Sequence, residues 1–108
     1  MNIRDLRSDS TRAATFLKAV ANGNRLMILC ELKAGERSVS SLEEVIPLSQ
    51  SALSQHLGKL REEGLVATRR EAQTIYYRLA DERVERLIDA LAELFCTAPD
   101  PASRKRRR

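Results

Sequence analysis

Between Leu48 and Val66 the chain reads LSQSALSQHLGKLREEGLV. Ala52, Leu53, His56, Leu57 and Leu60 recur at helical spacing and make one apolar side. Ser49 stands where an N-cap is needed, and Gly64 where the helix must close. The opposite side, near the start, carries Gln50, Ser51, Ser54 and Gln55, with Lys59 further along. None of these is acidic. Short hydrogen-bonding side chains at the N-terminal end of a helix suit entry into a DNA major groove, because Gln can bond adenine through two atoms and Ser can donate or accept. The positive end of the helix dipole also favours a nearby phosphate. The same face is equally the wetted side of an ordinary amphipathic helix, so its neighbours must decide. His56, the sole histidine, lies beside the apolar stripe and reads as a packing or positioning group.

Upstream, Ala13, Phe16, Leu17 and Val20 predict a helix that starts from Asp9. ANGN (Ala21 to Asn24) interrupts it, with Gly23 expected as its C-terminal cap and Asn24 as the N-cap of the next helix. That next helix, RLMILCELKAG, is expected to place Leu26, Leu29, Cys30 and Lys33 on one stripe, widened by Ile28 and Leu32. SVSSLEEVI is a short third helix, with a capping box in Ser40/Glu43 or Ser41/Glu44, ended by Pro47.

Downstream, LVATRREAQTIYYRLA combines strand formers (Val66, Thr68, Thr74, Ile75, Tyr76, Tyr77) around RREAQ and reads as a β-hairpin. With no Gly or Asn at its tip, a longer arm is expected rather than a tight two-residue turn. Arg69, Arg70, Gln73 and Thr74 are the candidate DNA contacts of this arm. Arg69 and Arg70 point to opposite faces of a regular strand, so only one of them reaches DNA directly. The same arginines would also discourage edge-to-edge aggregation without any DNA. Glu62, Glu63 and Glu71 would repel phosphate unless turned away or paired. DERVERLIDALAELF then forms a last helix, capped by Asp81, with Val84, Leu87, Ile88, Leu91 and Phe95 as its stripe.

The order helix, helix, helix, helix, hairpin, helix is that of a mainly α winged helix-turn-helix with a β-hairpin wing. It spans residues 9–96, after a flexible leader at 1–8 and before a disordered basic tail at 97–108. The chain of 108 residues suffices for one domain. With 43% hydrophobic residues and 4% aromatics, the core must be aliphatic and thin, and burial across a homodimer interface would help it. The net charge of +4 sits in the tail: five of the 19 basic residues are Arg104 to Arg108, leaving 14 basic against 15 acidic before them. A nucleic-acid surface on the domain must therefore come from local segregation of charge. The tail either adds non-specific DNA affinity or is a solvated end. No signal peptide and no long apolar run are visible, so a soluble cytoplasmic protein that engages no membrane is expected. No nucleophile–base pair and no phosphate loop is present, so neither an enzyme nor a cofactor is expected. Cys30 and Cys96 are far apart and form no CxxC; taken singly, each also reads as a small buried hydrophobe.

The Leu48–Val66 stretch followed by TRREAQTIYYRL (Thr68 to Leu79) resembles the recognition helix and wing of the ArsR/SmtB family of bacterial repressors. The resemblance runs from about Ala13 to Cys96. It implies a homodimer that binds double-stranded, pseudo-palindromic operator DNA and releases it when an inducer acts. It also implies a dimer interface built from the first and last helices, here Phe16, Leu17, Val20, Leu87, Leu91 and Phe95. Many members sense metals through a C-x-C in the third helix, but SVSSLEEVI contains no cysteine. Others use an Asp/His set on the last helix, where this chain has Asp89 and Glu93 but no histidine. No metal site is expected. The positions of Cys30 and Cys96 resemble those of a dithiol subgroup that answers reactive sulfur species or oxidants. In that subgroup the two thiols of one protomer become linked and DNA affinity falls. The alternatives are a metal-responsive member with an atypical site and a winged-helix interaction module that binds no DNA.

Overall fold

The computed structural model describes residues 3–95. The elements run α1 (Ile3–Ser8), α2 (Ser10–Val20), α3 (Gly23–Lys33), β1 (Arg37–Ser38), α4 (Val39–Val45), α5 (Gln50–Glu62), β2 (Val66–Glu71), β3 (Thr74–Leu79) and α6 (Glu82–Phe95). The fold is mainly helical with a three-stranded antiparallel sheet in the order β1-β3-β2. β1 pairs Arg37 with Tyr77 and Ser38 with Tyr76. A strand of two residues has no periodicity to betray it in the sequence.

The core is aliphatic throughout. Ile28, Leu29 and Leu32 of α3 meet Leu42 and Ile46 around α4, Leu53, Leu57 and Leu60 of α5, and Val84 and Ile88 of α6. Leu65 and Val66 seal the entrance to the wing, and Ala19 and Val20 close the core from α2. Among the described residues no polar or charged side chain is buried. Leu53, Leu57 and Leu60 follow the i, i+4, i+7 spacing that turns one helical face inward.

Ser49 caps α5 as expected, its hydroxyl accepting from the Ala52 amide at 3.1 Å. Gly64 closes that helix at φ +75°. The Leu65 amide returns to the Leu60 carbonyl at 2.9 Å and the Gly64 amide to the Arg61 carbonyl at 3.0 Å, a Schellman closure with buried Leu60 and Leu65 at its two ends. Asp81 accepts from the Arg83 amide at 2.8 Å and starts α6. Its carboxyl is held below the usual range, first by the Arg83 side chain that bonds it.

Four local readings are corrected. The N-cap of α3 is Asn22, whose side chain accepts from the amides of Asn24 and Arg25, so Gly23 and Asn24 already belong to the helix. The N-cap of α4 is Ser38, which accepts from the Ser41 amide at 3.1 Å, and no Glu completes a capping box there. Residues 3–8, expected as a loose leader, form the exposed helix α1. Arg4, Leu6 and Arg7 favour helix, and Asp5 and Arg7 sit at the ends that suit the dipole. The wing closes in a tight turn, because Glu71 pairs with Thr74 and leaves only Ala72 and Gln73 between the strands. Ala72 takes φ +57° to allow it, a conformation that no Gly or Asn at the tip signals. The remaining residues of the leader, Met1 and Asn2, and the whole tail 97–108 lie outside the described residues.

Ser49→Ala removes a cap from α5 and costs about 1 kcal/mol, read as a thermal midpoint lower by about 4–8 °C. Ala72→Gly relieves a left-handed Cβ and leaves the midpoint unchanged or higher, whereas Ala72→Val destabilises the fold by about 1 kcal/mol or more and lowers the midpoint. A large loss with Gly at position 72 would show that the turn is not strained.

Candidate nucleic-acid interface

The inward leucines of α5 leave Gln50, Ser51, Ser54, Gln55 and Lys59 all exposed. The first turn of this helix holds no acidic residue, and Lys59 and Arg61 lie in its last turn. Gln50 shares a cleft of about 350 Å³ with Gln73, Thr74 and Ile75 of the wing and with Ser40 and Glu43 of α4. The structure thus brings the start of α5 and the wing tip together, as a helix-and-wing DNA surface requires.

His56 is half-buried, and its Nδ1 accepts from Arg25 Nε at 3.3 Å. Arg25 also donates to the Ala19 carbonyl at 3.1 Å. One side chain on α3 therefore braces the end of α2 against the middle of α5. His56 serves as the positioning group the sequence suggested, but its partner lies 31 residues away and carried no local signal.

The wing divides its two arginines by face. Directly opposed residues of an antiparallel pair share a face. Arg70 opposes Ile75, which lines the cleft with Gln50. Arg70 is exposed and has no ion-pair partner among the described residues. Arg69 opposes Tyr76 on the other face, with its guanidinium 4.4 Å from the ring centroid. Its Nε donates to both Glu36 oxygens at 2.9 and 3.0 Å, its Nη2 lies 2.8 Å from Glu36 Oε1, and its Nη1 donates to Glu71 Oε2 at 2.7 Å. These hydrogen bonds hold the Glu36 carboxyl below the ordinary carboxylate range and raise the Arg69 guanidinium further still. Arg69, a candidate DNA contact by sequence, is thus committed within the molecule. Glu71, expected to need a partner near phosphate, has one. Glu62 and Glu63 lie at the far end of α5, away from its reading turn.

The apolar residues assigned to a dimer interface also divide. Val20 is only 3% exposed and belongs to the protomer core, because α2 ends by plugging the gap above α3. Phe16 is half-buried beneath Arg83, whose guanidinium stands 4.6 Å from its ring centroid. Leu87 and Leu91 are half-buried. Leu17 is 51% exposed, Phe95 70% and Leu94, which the sequence reading missed, 68%.

Cys30 is exposed, not the small buried hydrophobe a single cysteine suggests. It lies on the flank of α3 with Leu26, one helical turn away, and faces α6 across an apolar groove of about 270 Å³ completed by Ile88, Leu91, Ala92 and Phe95. Cys96, the residue after Phe95, lies outside the described residues. Among the described residues no three His, Cys, Asp or Glu side chains are placed to hold a metal ion. No described helix is long and apolar enough to cross a membrane.

Residues 22–68 match the family model described as a bacterial regulatory protein of the arsR family. The transcriptional activator HlyU of Vibrio cholerae is 49% identical over 98 residues, spanning 91% of each chain. The crystal structure of the transcriptional repressor BigR from Xylella fastidiosa superposes with a TM-score of 0.85 at 41% identity, covering 91% of this chain and 100% of that one. The homodimeric winged helix-turn-helix DNA-binding domain of a possible ArsR-family regulator from Mycobacterium bovis gives a TM-score of 0.71 at 35% identity, covering 87% of this chain and 86% of that one. The family is regulatory and not enzymatic. With a winged helix-turn-helix fold, a neutral reading face on α5 and a family match that includes it, this chain belongs to the arsR family of DNA-binding transcriptional regulators.

Proposed function

We infer that the protein is a cytoplasmic, homodimeric repressor that releases double-stranded, pseudo-palindromic operator DNA when Cys30 and Cys96 are linked by a reactive sulfur species or an oxidant. The observation that carries this reading is the position of Cys30: exposed, in a groove whose far wall ends at Phe95, one residue before Cys96. Helices α3 and α6 meet at that groove. A link across it would tie the half of the protomer that carries α5 to the helix whose exposed Leu94 and Phe95 suit a second copy. The homodimeric M. bovis domain supports that assembly. Dimeric readers need their two helices about one DNA turn apart, roughly 34 Å, so a small change in their spacing is enough to lower affinity.

The chemistry balances with either inducer. A Cys30 thiolate attacks the outer sulfur of a persulfide, expels the parent thiolate and becomes a persulfide itself. The Cys96 thiolate then attacks the Cys30 sulfur and expels hydrosulfide, leaving a disulfide; each further sulfur that Cys30 takes from another persulfide before closure, with that donor's parent thiolate leaving, lengthens the bridge by one. With a hydroperoxide, Cys30 becomes a sulfenic acid as alkoxide leaves, and Cys96 displaces hydroxide. On the DNA side, Gln50, Ser51, Ser54 and Gln55 read bases, while Lys59, Arg70, Gln73 and Thr74 hold the backbone.

Intact-mass measurement after each treatment separates the inducers: added sulfur, in an open persulfide or a lengthened bridge, arises only with the first, and the second gives only the loss of two hydrogens. Cys30→Ser and Cys96→Ser keep DNA binding and lose the response. Persulfide-induced release that survives in Cys96→Ser sinks the switch. Gln55→Ala weakens binding to an operator selected from a random duplex pool by about 1–3 kcal/mol; unchanged affinity rejects Gln55 as a base reader.

A further inference from the structure

We propose that Glu36 is a specificity-determining residue: by clamping Arg69 it withholds one wing cation from DNA phosphate and so limits sequence-independent binding. The inference rests on the DNA-reading surface of α5 and the wing, and adds a residue outside it. Glu36 lies between α3 and β1, 33 residues from its partner. It takes Nε and Nη2 of Arg69, Glu71 takes Nη1, and Tyr76 lies against one face of the guanidinium. All three nitrogens of the group thus face carboxylates, so a bidentate phosphate contact has to compete with Glu36 and Glu71 for them.

The arrangement also changes the local charge. Arg69 with Glu36 and Glu71 sums to −1, on the face of the wing opposite Arg70. Arg78, on that same face, brings its sum to zero, so the wing presents Arg70 on the cleft side and no net charge on the other. Phosphate contacts supply nearly all non-specific affinity and carry no sequence information. Removing one from each wing lowers binding to arbitrary sequence while leaving the base-reading residues of α5 in place. The ratio of specific to non-specific affinity rises accordingly. The clamp has a second effect of the same sign. It ties β2 to the segment leading into β1, so the wing is held in one orientation beside α5 instead of being drawn onto whatever backbone is near.

The test uses the full chain, a 30-bp mixed-sequence duplex as the probe, and titrations between 50 and 200 mM NaCl. Glu36→Gln is expected to tighten binding at the low-salt end by roughly threefold per wing and to steepen the slope of log K against log salt by about 0.9 per wing. The same substitution in an Arg69→Gln background is expected to produce neither change. Thermal melts of all four proteins confirm that each is folded at the temperature used. Equal gains in both backgrounds would mean that Glu36 acts only through its charge, and the proposal fails. No gain in either background also overturns it. A wild-type chain that binds no duplex at 50 mM salt instead overturns the DNA-binding reading beneath it.

Discussion

The burial of Leu53, Leu57 and Leu60 decides the rest of the molecule. All three are at most 1% exposed, and each such side chain contributes about 1.5–3 kcal/mol. Turning α5 by one residue, about 100°, would pull this stripe out of the core. The helix therefore has one admissible rotation, and that rotation points Gln50, Ser51, Ser54 and Gln55 at solvent. Its two ends are equally constrained, by Ser49 at the start and by the Gly64 closure at the end. The Leu65 carbonyl then accepts from the Ala80 amide at 3.0 Å, so the wing leaves and re-enters the core at one point. A surface able to read DNA is in this sense the outer side of a well-packed leucine stripe.

The wing shows how a chain that is close to neutral before its tail can still carry a useful positive surface. Its charge is sorted by face, not accumulated. Strand alternation sends Arg69 and Arg70 apart, and two carboxylates then occupy the one that points away from the cleft. All of these groups are partly exposed, so the clamp contributes little to stability. Its consequence is geometric and electrostatic: which cation is available, and where the wing stands relative to α5.

The opposite end of the domain is organised by incompleteness. α6 buries Val84 and Ile88 but leaves Leu94 and Phe95 largely exposed. Cys30 lies on the same side, in an apolar groove between α3 and α6. A thiol there is reachable from solvent yet next to the helix whose apolar end suits a second copy. Under the proposed switch, a sulfur chemistry on α3 would have a short mechanical path to the arrangement of two protomers. Arg25 extends the path, since it joins α3 to α5 through His56 and to α2 through the Ala19 carbonyl.

Much of the fold could be read from residues a few positions apart. The leucine spacing of α5, the caps at Ser49 and Asp81, the closure at Gly64 and the strand-forming runs of the wing are local signals, and together they determined a winged helix-turn-helix. The exposed polar face of α5 followed from the same spacing. Other features required contacts between distant segments. Apolar residues surround α3 almost completely (Leu26, Met27, Ile28, Leu29, Leu32), so periodicity could not choose its inner face; packing buried Ile28, Leu29 and Leu32 and left Cys30 outside. Val20 was drawn into the core because only there is the end of α2 covered. The pairing of β2 with β3 imposed the tight turn on Ala72 against its own preference. The sequence by itself determined which face of α5 is polar, because helical periodicity is a property of neighbours. Only the tertiary structure decided which arginine of the wing is available, because Glu36 reaches Arg69 through space and not along the chain.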